Sequence, residues 1–252
     1  MIRVEKIYKS FEDTEVLKGI STVFEKGKTN LIIGRSGAGK TVMLKILVGL
    51  LEPTKGTIWY DETDFTNLNK KQMRAIRLDI GMLFQGSALF DSMTVEENIR
   101  FALDMFTKMT PKEKLHRVNE VLDRVELEGS NQKYPSEISG GMQKRVGIAR
   151  AIVMKPKYLF CDEPNSGLDP KTAILIDKLI RDITYDQNIT TVINTHDMNS
   201  VMEIGDQILL LHQGKKAWEG NKDEVLESDN ELIQDFIFAS PFLRKLRAKA
   251  MR

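Results

Sequence analysis

Hydrophobic and polar residues alternate from Ile2 to Phe24, with β-branched side chains enriched among them, and this period of two predicts strands joined by a turn at Glu12-Asp13. Thr29 to Ile33 is a short apolar run that stops at Gly34. From about Gly39 the spacing of Val42, Leu44, Ile46 and Leu47 becomes helical, so the order read is strand, glycine loop, helix. Lys157 to Pro164 and Asn188 to His196 read as further strand-to-loop units with a helix from Pro170 to Asp186 between them. Such alternation implies a mostly parallel sheet. Between roughly Gly86 and Met154 strand signals give way to helical spacing at Leu115, Val118, Leu122 and Val125, which predicts an α-helical insert. Beyond His196, Gln207 to His212 and Lys215 to Trp218 read as a hairpin turning at Gln213-Gly214, and the chain finishes helical. The sequence contains no internal repeat and no low-complexity segment.

Composition changes this picture mainly by exclusion. The 252 residues permit one large domain or two small ones, either with a substantial core. Lys and Arg total 37 against 36 Asp and Glu, and a net charge of +1 gives no electrostatic ground for a nucleic-acid partner. Cys161 is the single cysteine and cannot form an internal disulfide, and the first residues, M-I-R-V-E-K-I-Y, do not run basic, apolar, small; both lead to the expectation of a cytosolic chain. No apolar run approaches the roughly 20 residues that cross a bilayer, so membrane association is expected through a partner or a surface helix.

Two motifs carry chemistry on their own. Gly34, Arg35, Ser36, Gly37, Ala38, Gly39, Lys40 and Thr41 fit G-x-x-x-x-G-K-[ST] between a buried strand and a helix. The glycines let successive backbone N–H groups turn toward phosphates, and the helix N-terminus adds partial positive charge. Lys40 supplies a full charge for the β- and γ-phosphates of ATP, and the Thr41 hydroxyl a ligand for Mg²⁺. The second motif, Lys157 to Glu163, is an apolar strand that delivers two acids at its carboxyl end, where open α/β sheets place ligands. Neighbouring strand residues face opposite sides, which assigns Asp162 to Mg²⁺ and Glu163 to the attacking water. Cys161 reads as a small core residue.

Between these motifs, Ile138-Ser139-Gly140-Gly141-Met142-Gln143 is similar to the signature of ABC transporter ATPases, usually L-S-G-G-Q. Ser139 can cap the following helix and leave the Gly140 and Gly141 amides to meet an anion. The resemblance covers nearly the whole chain. It implies an ABC ATPase fold: α/β, a P-loop NTPase (RecA-like) core with a mostly parallel sheet, an N-terminal antiparallel β subdomain and an α-helical insert. It implies one ATPase domain over 1–235, with core lobe 1–85 and 155–235, helical subdomain about 86–154, and a basic tail at 236–252. Gln85 resembles the glutamine that senses Mg²⁺ and water, Asp169 within Ser166-Gly167-Leu168-Asp169 the loop that crosses the dimer interface, and His196 the histidine that contacts the γ-phosphate. Phe11 occupies the place of the aromatic that stacks on adenine. Val42 stands where a hydroxyl residue that reaches phosphate is common, Met142 departs from the signature, and Asn165 replaces a common threonine. None of these removes a catalytic group.

By the same resemblance a second copy of the chain completes an ATP sandwich, and the assembly sits on an integral membrane permease. The stretch Gly81 to Val95, with Ile138 to Val146, is similar to ATPases of MCE-associated, Mla-type lipid transporters. That subgroup implies a Mla-type permease, an MCE-domain lipid-binding protein, phospholipid or other hydrophobic cargo, and a peripheral position on the cytoplasmic side of a bacterial inner membrane. The alternatives are an importer of small polar solutes of the amino-acid type and a soluble ABC protein acting on ribosomes or DNA. Apolar residues in Ala88 to Met93 are candidates for permease docking. The tail, with Arg244, Lys245, Arg247, Lys249 and Arg252 among Phe242, Leu243 and Leu246, reads first as a frayed, solvated terminus; the alternative is a short basic amphipathic helix that would meet the second copy or lipid headgroups.

Overall fold

A computed structural model of the chain describes residues 1–237, so the basic helix considered for Pro241 to Arg252 lies outside the described residues. Strands β1 (Ile2–Phe11) and β2 (Thr14–Phe24) form a hairpin turning at Glu12-Asp13, with Phe11 opposite Thr14. Then come β3 (Thr29–Ile33), α1 (Lys40–Leu47), β4 (Lys55–Tyr60), β5 (Thr63–Asp64), α2 (Lys70–Leu78) and β6 (Ile80–Leu83). The helical stretch holds α3 (Val95–Phe106), α4 (Pro111–Arg124), a 3-10 turn at Pro135–Glu137 and α5 (Gly140–Ile152). It is followed by β7 (Tyr158–Asp162), α6 (Pro170–Asp186), β8 (Thr190–Asn194), α7 (Met198–Ile204), β9 (Gln207–His212) and β10 (Lys215–Gly220). The described chain ends with α8 (Lys222–Glu227) and α9 (Glu231–Ile237).

The chain divides into two compact units. The first comprises Met1–Glu25, Thr29–Thr66 and the chain from Asn194 onward. It contains an antiparallel sheet in the order β2-β1-β4-β5. Alternation explains β1: Ile2 and Val4 are buried while Arg3 and Glu5 face solvent, and a left-handed Lys6 (φ 48°) shifts the register so that Ile7 is buried next. The other strands of this unit lie in the order β10-β9-β3, with β3 parallel to β9 and β10 antiparallel to it. All five residues of β3 are buried, and Thr29 ties its start to the Asp206 carboxylate through N–H and hydroxyl donors at 2.8 and 2.9 Å. A strand buried on both faces shows an unbroken apolar run rather than alternation, as Leu31 to Ile33 do.

The second unit comprises Lys26–Lys28 and Asn67–Ile193, with strands in the order β8-β7-β6 and β6 parallel to β7. Its helices begin where the sequence supplies caps. Thr94 with Glu97 and Thr110 with Glu113 form capping boxes at α3 and α4, and Asp169 caps α6 just before Pro170. The buried stripe of α4 is Val118, Val121 and Leu122, with Val125 just beyond; Leu115, which the spacing placed in that stripe, is 40% exposed. Helix α2 was invisible to periodicity because none of its residues is buried; its start is fixed by an Asn69–Gln72 capping box instead. Among the described residues no helix is long and apolar enough to cross a membrane.

Helix α5 runs close against β6, and two glycines permit it. A Cβ on Gly81 would lie 2.3 Å from the Ala151 carbonyl oxygen, and one on Gly147 would lie 2.7 Å from the Leu83 side chain. The first contact is with backbone, which cannot step aside cheaply. Gly81→Ala is therefore expected to lower unfolding free energy by about 1–3 kcal/mol, measured as a drop in denaturant midpoint with an unchanged slope. Cys161 is fully buried in β7, and that burial pushes its thiol well above the usual range. A thiol-alkylating reagent is expected to leave it unmodified in native buffer and to label it once denaturant has unfolded the chain, read by intact mass.

Candidate functional site

In the first unit, β3 ends at Ile33 and the chain turns at Gly34, whose φ of 146° belongs to glycine. A Cβ there would lie 2.3 Å from the Leu211 carbonyl oxygen, so the loop lies against β9 with no room for a side chain. Arg35, Ser36 and Gly37 are exposed, Ala38 and Gly39 are buried, and Gly39 (φ 101°) precedes α1 in the left-handed region. Lys40 is only 7% exposed, and its ammonium donates to the carbonyl oxygens of Gly34 at 2.8 Å and Arg35 at 3.2 Å. It thus clasps two carbonyls of the loop it belongs to. Thr41 is exposed, and its hydroxyl accepts from Asn194 Nδ2 at 3.3 Å. Val42 is half-buried in α1.

His196 lies two residues beyond β8 and is exposed. The chain just before it is held by Thr195, whose N–H donates to the Ile32 carbonyl at 3.1 Å and whose hydroxyl accepts from Asp197 N–H at 3.0 Å. Phe11, at the tip of the β1–β2 hairpin, is 42% exposed, with the Lys9 ammonium 4.9 Å from its ring centre.

In the second unit, β7 carries four buried residues and then Asp162, half-buried at its last position. Glu163 is already outside the strand, in a left-handed conformation at φ 47°. Strand alternation therefore does not separate the two acids, as the sequence reading had it; a backbone turn does, closed by Ser166 N–H on the Glu163 carbonyl at 3.2 Å. Gln85, just beyond β6, donates from its amide Nε2 to Glu163 Oε2 at 3.0 Å. The loop after Gln85 passes through two left-handed residues, Ser87 (φ 60°) and Ala88 (φ 48°), whose carbonyls both accept from the Arg150 guanidinium of α5.

Ser139 is the N-cap of α5, accepting from Met142 N–H at 3.3 Å. Gly140 and Gly141 open the helix, and they differ. A Cβ on Gly140 would make only ordinary contact, whereas one on Gly141 would lie 2.8 Å from the Thr172 methyl, so Gly141 also serves packing against α6. Asp169 caps α6: the Thr172 hydroxyl and the Thr172 and Lys171 N–H groups hold its carboxyl below the usual carboxylate range. Among the described residues no group of three or more His, Cys, Asp or Glu side chains could hold a metal ion.

Sequence reasoning passed over Lys144 and Arg150. The signal was present: Lys144, Gly147 and Ala151 recur on one buried face of α5, and a lysine in such a stripe requires oxygen partners. Lys144 is 5% exposed and its ammonium donates to the Gln85 carbonyl and, at 3.5 Å, to the Ser166 hydroxyl.

Comparison with known proteins agrees with this geometry. Residues 17–166 match the family model described as ABC transporter. The chain is 38% identical over 236 residues to a probable ribonucleotide transport ATP-binding protein of Mycobacterium leprae, covering 94% of this chain and 68% of that protein. It is 41% identical over 236 residues to a methionine import ATP-binding protein of Carboxydothermus hydrogenoformans, covering 93% and 69%. Among solved structures, the dimeric post-hydrolysis state of the ATP-binding cassette MJ0796 bound to ADP and Pi superposes with a TM-score of 0.80 at 31% identity, covering 88% of this chain and 99% of that one. The cbiO1 subunit of a Clostridium perfringens ABC transporter complex gives 0.85 at 29% identity, covering 100% and 98%. The chain therefore belongs to the ABC transporter family and is one of its ATPase cassettes.

Proposed function

We propose that this chain is the ATP-hydrolysing motor subunit of a membrane transporter, acting as a pair of identical copies docked on a multi-spanning permease at the cytoplasmic face. The observation that carries this reading is the Gly34–Thr41 loop, shaped by glycine geometry and clasped through its carbonyls by its own lysine. Lys40 would exchange loop carbonyls for β- and γ-phosphate oxygens, and Phe11 would stack on adenine. Glu163, steered by the Gln85 amide, would take the proton of the attacking water, and His196 would donate to the γ-phosphate. Ser139, Gly140, Gly141 and Asp169 would face nucleotide held by the second copy, a reading supported by the dimeric relative of similar fold.

Magnesium, when bound, neutralises charge on the phosphate oxygens. Thr41 and Asp162, with Gln85 through water, are the groups proposed to hold it. Thr41 is exposed at the start of α1 and Asp162 half-buried at the end of β7, and a hydroxyl and a carboxylate oxygen are donors of the kind Mg²⁺ takes, one or two at a time with its other positions left to phosphate and water.

For cargo, the named relatives support small polar solutes, since one is a methionine import protein and another a ribonucleotide transport protein. A second reading, lipid transport with an MCE-domain partner, is supported by the Gly81–Val95 and Ile138–Val146 resemblance. The exposed side chains Phe84, Phe90, Phe101, Met105 and Phe106 are proposed to receive the permease under either reading, because apolar surface of this kind marks docking sites. Purification from native membranes separates the two: a solute-binding protein and ATPase stimulation by amino acid support the first, an MCE-domain protein and bound phospholipid the second.

Lys40→Ala is expected to lose nucleotide affinity by at least about tenfold, and calorimetry showing wild-type ATP binding would count against the phosphate-loop assignment. Glu163→Gln is expected to keep ATP binding while turnover falls by roughly 10²-fold or more. Undiminished steady-state hydrolysis in that variant would remove Glu163 from the general-base role.

A further inference from the structure

We infer that Lys144 of α5 is a positioning residue for hydrolysis: its buried ammonium fastens the backbone of Gln85 to the loop after β7 and so sets the Gln85 amide on the Glu163 carboxylate. The inference rests on the ATPase reading above and concerns a residue to which that reading gave no role.

A lysine that is 5% exposed is uncommon and persists where oxygen atoms receive its protons. Here they are the Gln85 carbonyl and the Ser166 hydroxyl, and the Ser166 hydroxyl itself donates to the same Gln85 carbonyl at 3.4 Å. Three groups from three loops or helices thus meet at one point. From that point two short paths reach Glu163. One runs along Gln85 from its carbonyl to its side-chain amide, 3.0 Å from Glu163 Oε2; the other runs from Ser166, whose N–H donates to the Glu163 carbonyl at 3.2 Å. Glu163 and the neighbouring Ser87 and Ala88 all sit at positive φ, so this backbone does not find its shape unaided. Burial pushes the ammonium below the usual lysine range, and the charges of Glu163 and Asp162 are among the causes that oppose the shift.

Lys144 touches neither nucleotide nor water in this scheme, so its removal should move turnover and not affinity. The test uses the full chain co-purified with its permease, comparing wild type, Lys144→Met and Lys144→Arg for kcat, KM and nucleotide affinity. Lys144→Met, which keeps length and loses charge and donors, is expected to lose on the order of 10- to 100-fold in kcat with nucleotide affinity unchanged. Lys144→Arg, which restores a cationic donor, is expected to recover most of that loss, whereas a purely packing role would leave the two variants equally impaired. Wild-type kcat in Lys144→Met, or no rescue by Lys144→Arg, overturns the inference. If Lys144→Met does not fold, Ser166→Ala interrogates the same junction, and an unchanged kcat there overturns it as well. A wild-type complex that hydrolyses no ATP would defeat the proposed function itself, whereas an active wild type with an unimpaired Lys144→Met defeats only this inference.

Discussion

Strands buried on both faces cannot present chemistry along their length, and this constraint shapes both units of the chain. Every residue of β3 is buried, as are the first four of β7, so functional groups can emerge only where the backbone leaves the sheet. Each exit demands a backbone turn that most residues resist. Gly34 meets the demand with φ 146° at no steric cost, while Glu163, Ser87 and Ala88 adopt positive φ with side chains attached, at about 1–3 kcal/mol apiece. The surrounding hydrogen bonds must offset that strain: the Arg150 guanidinium donates to the Ser87 and Ala88 carbonyls, and Ser166 N–H donates to that of Glu163.

Lys40 and Lys144 stand in corresponding situations. Each is a nearly buried lysine whose ammonium donates to backbone carbonyls of a loop leaving a strand, Gly34 and Arg35 in one case and Gln85 in the other. An ammonium suits this work because its three protons rotate freely and can change oxygen partners without a change in backbone. The consequences differ. Lys40 fastens the very loop it follows, Gly34 and Arg35, while Lys144 reaches from α5 to a loop 59 residues away. Arg150 completes the support of the Gln85 loop with a guanidinium, whose fixed fork suits two adjacent carbonyls.

Helix N-termini provide the other recurring element. Ser139 and Asp169 each satisfy N–H groups of the helices they open, and the close approach at Gly141 and Thr172 brings those two helix starts together. The glycines of the signature thus serve two purposes at once, exposing amides at Gly140 and allowing contact at Gly141.

Much of the molecule was legible in the chain by itself. Apolar runs ended by glycine located β3 and its loop, period-two alternation located the first hairpin, and Ser139 was read as the cap of α5. These are local effects, written within a few residues of where they act. Periodicity missed α2 because it buries nothing, and it overcounted Leu115 because a spacing cannot say which edge of a stripe meets solvent. Resemblance alone singled out Gln85, and the acidic end of its strand singled out Glu163; their hydrogen bond, the left-handed turn that replaces strand alternation at Glu163, and the burial of Lys144 against a carbonyl 59 residues away belong to the tertiary structure alone. The reason is distance along the chain: local pattern fixes what each segment becomes, whereas which polar atoms lose water together is decided only when segments far apart in sequence close on one another.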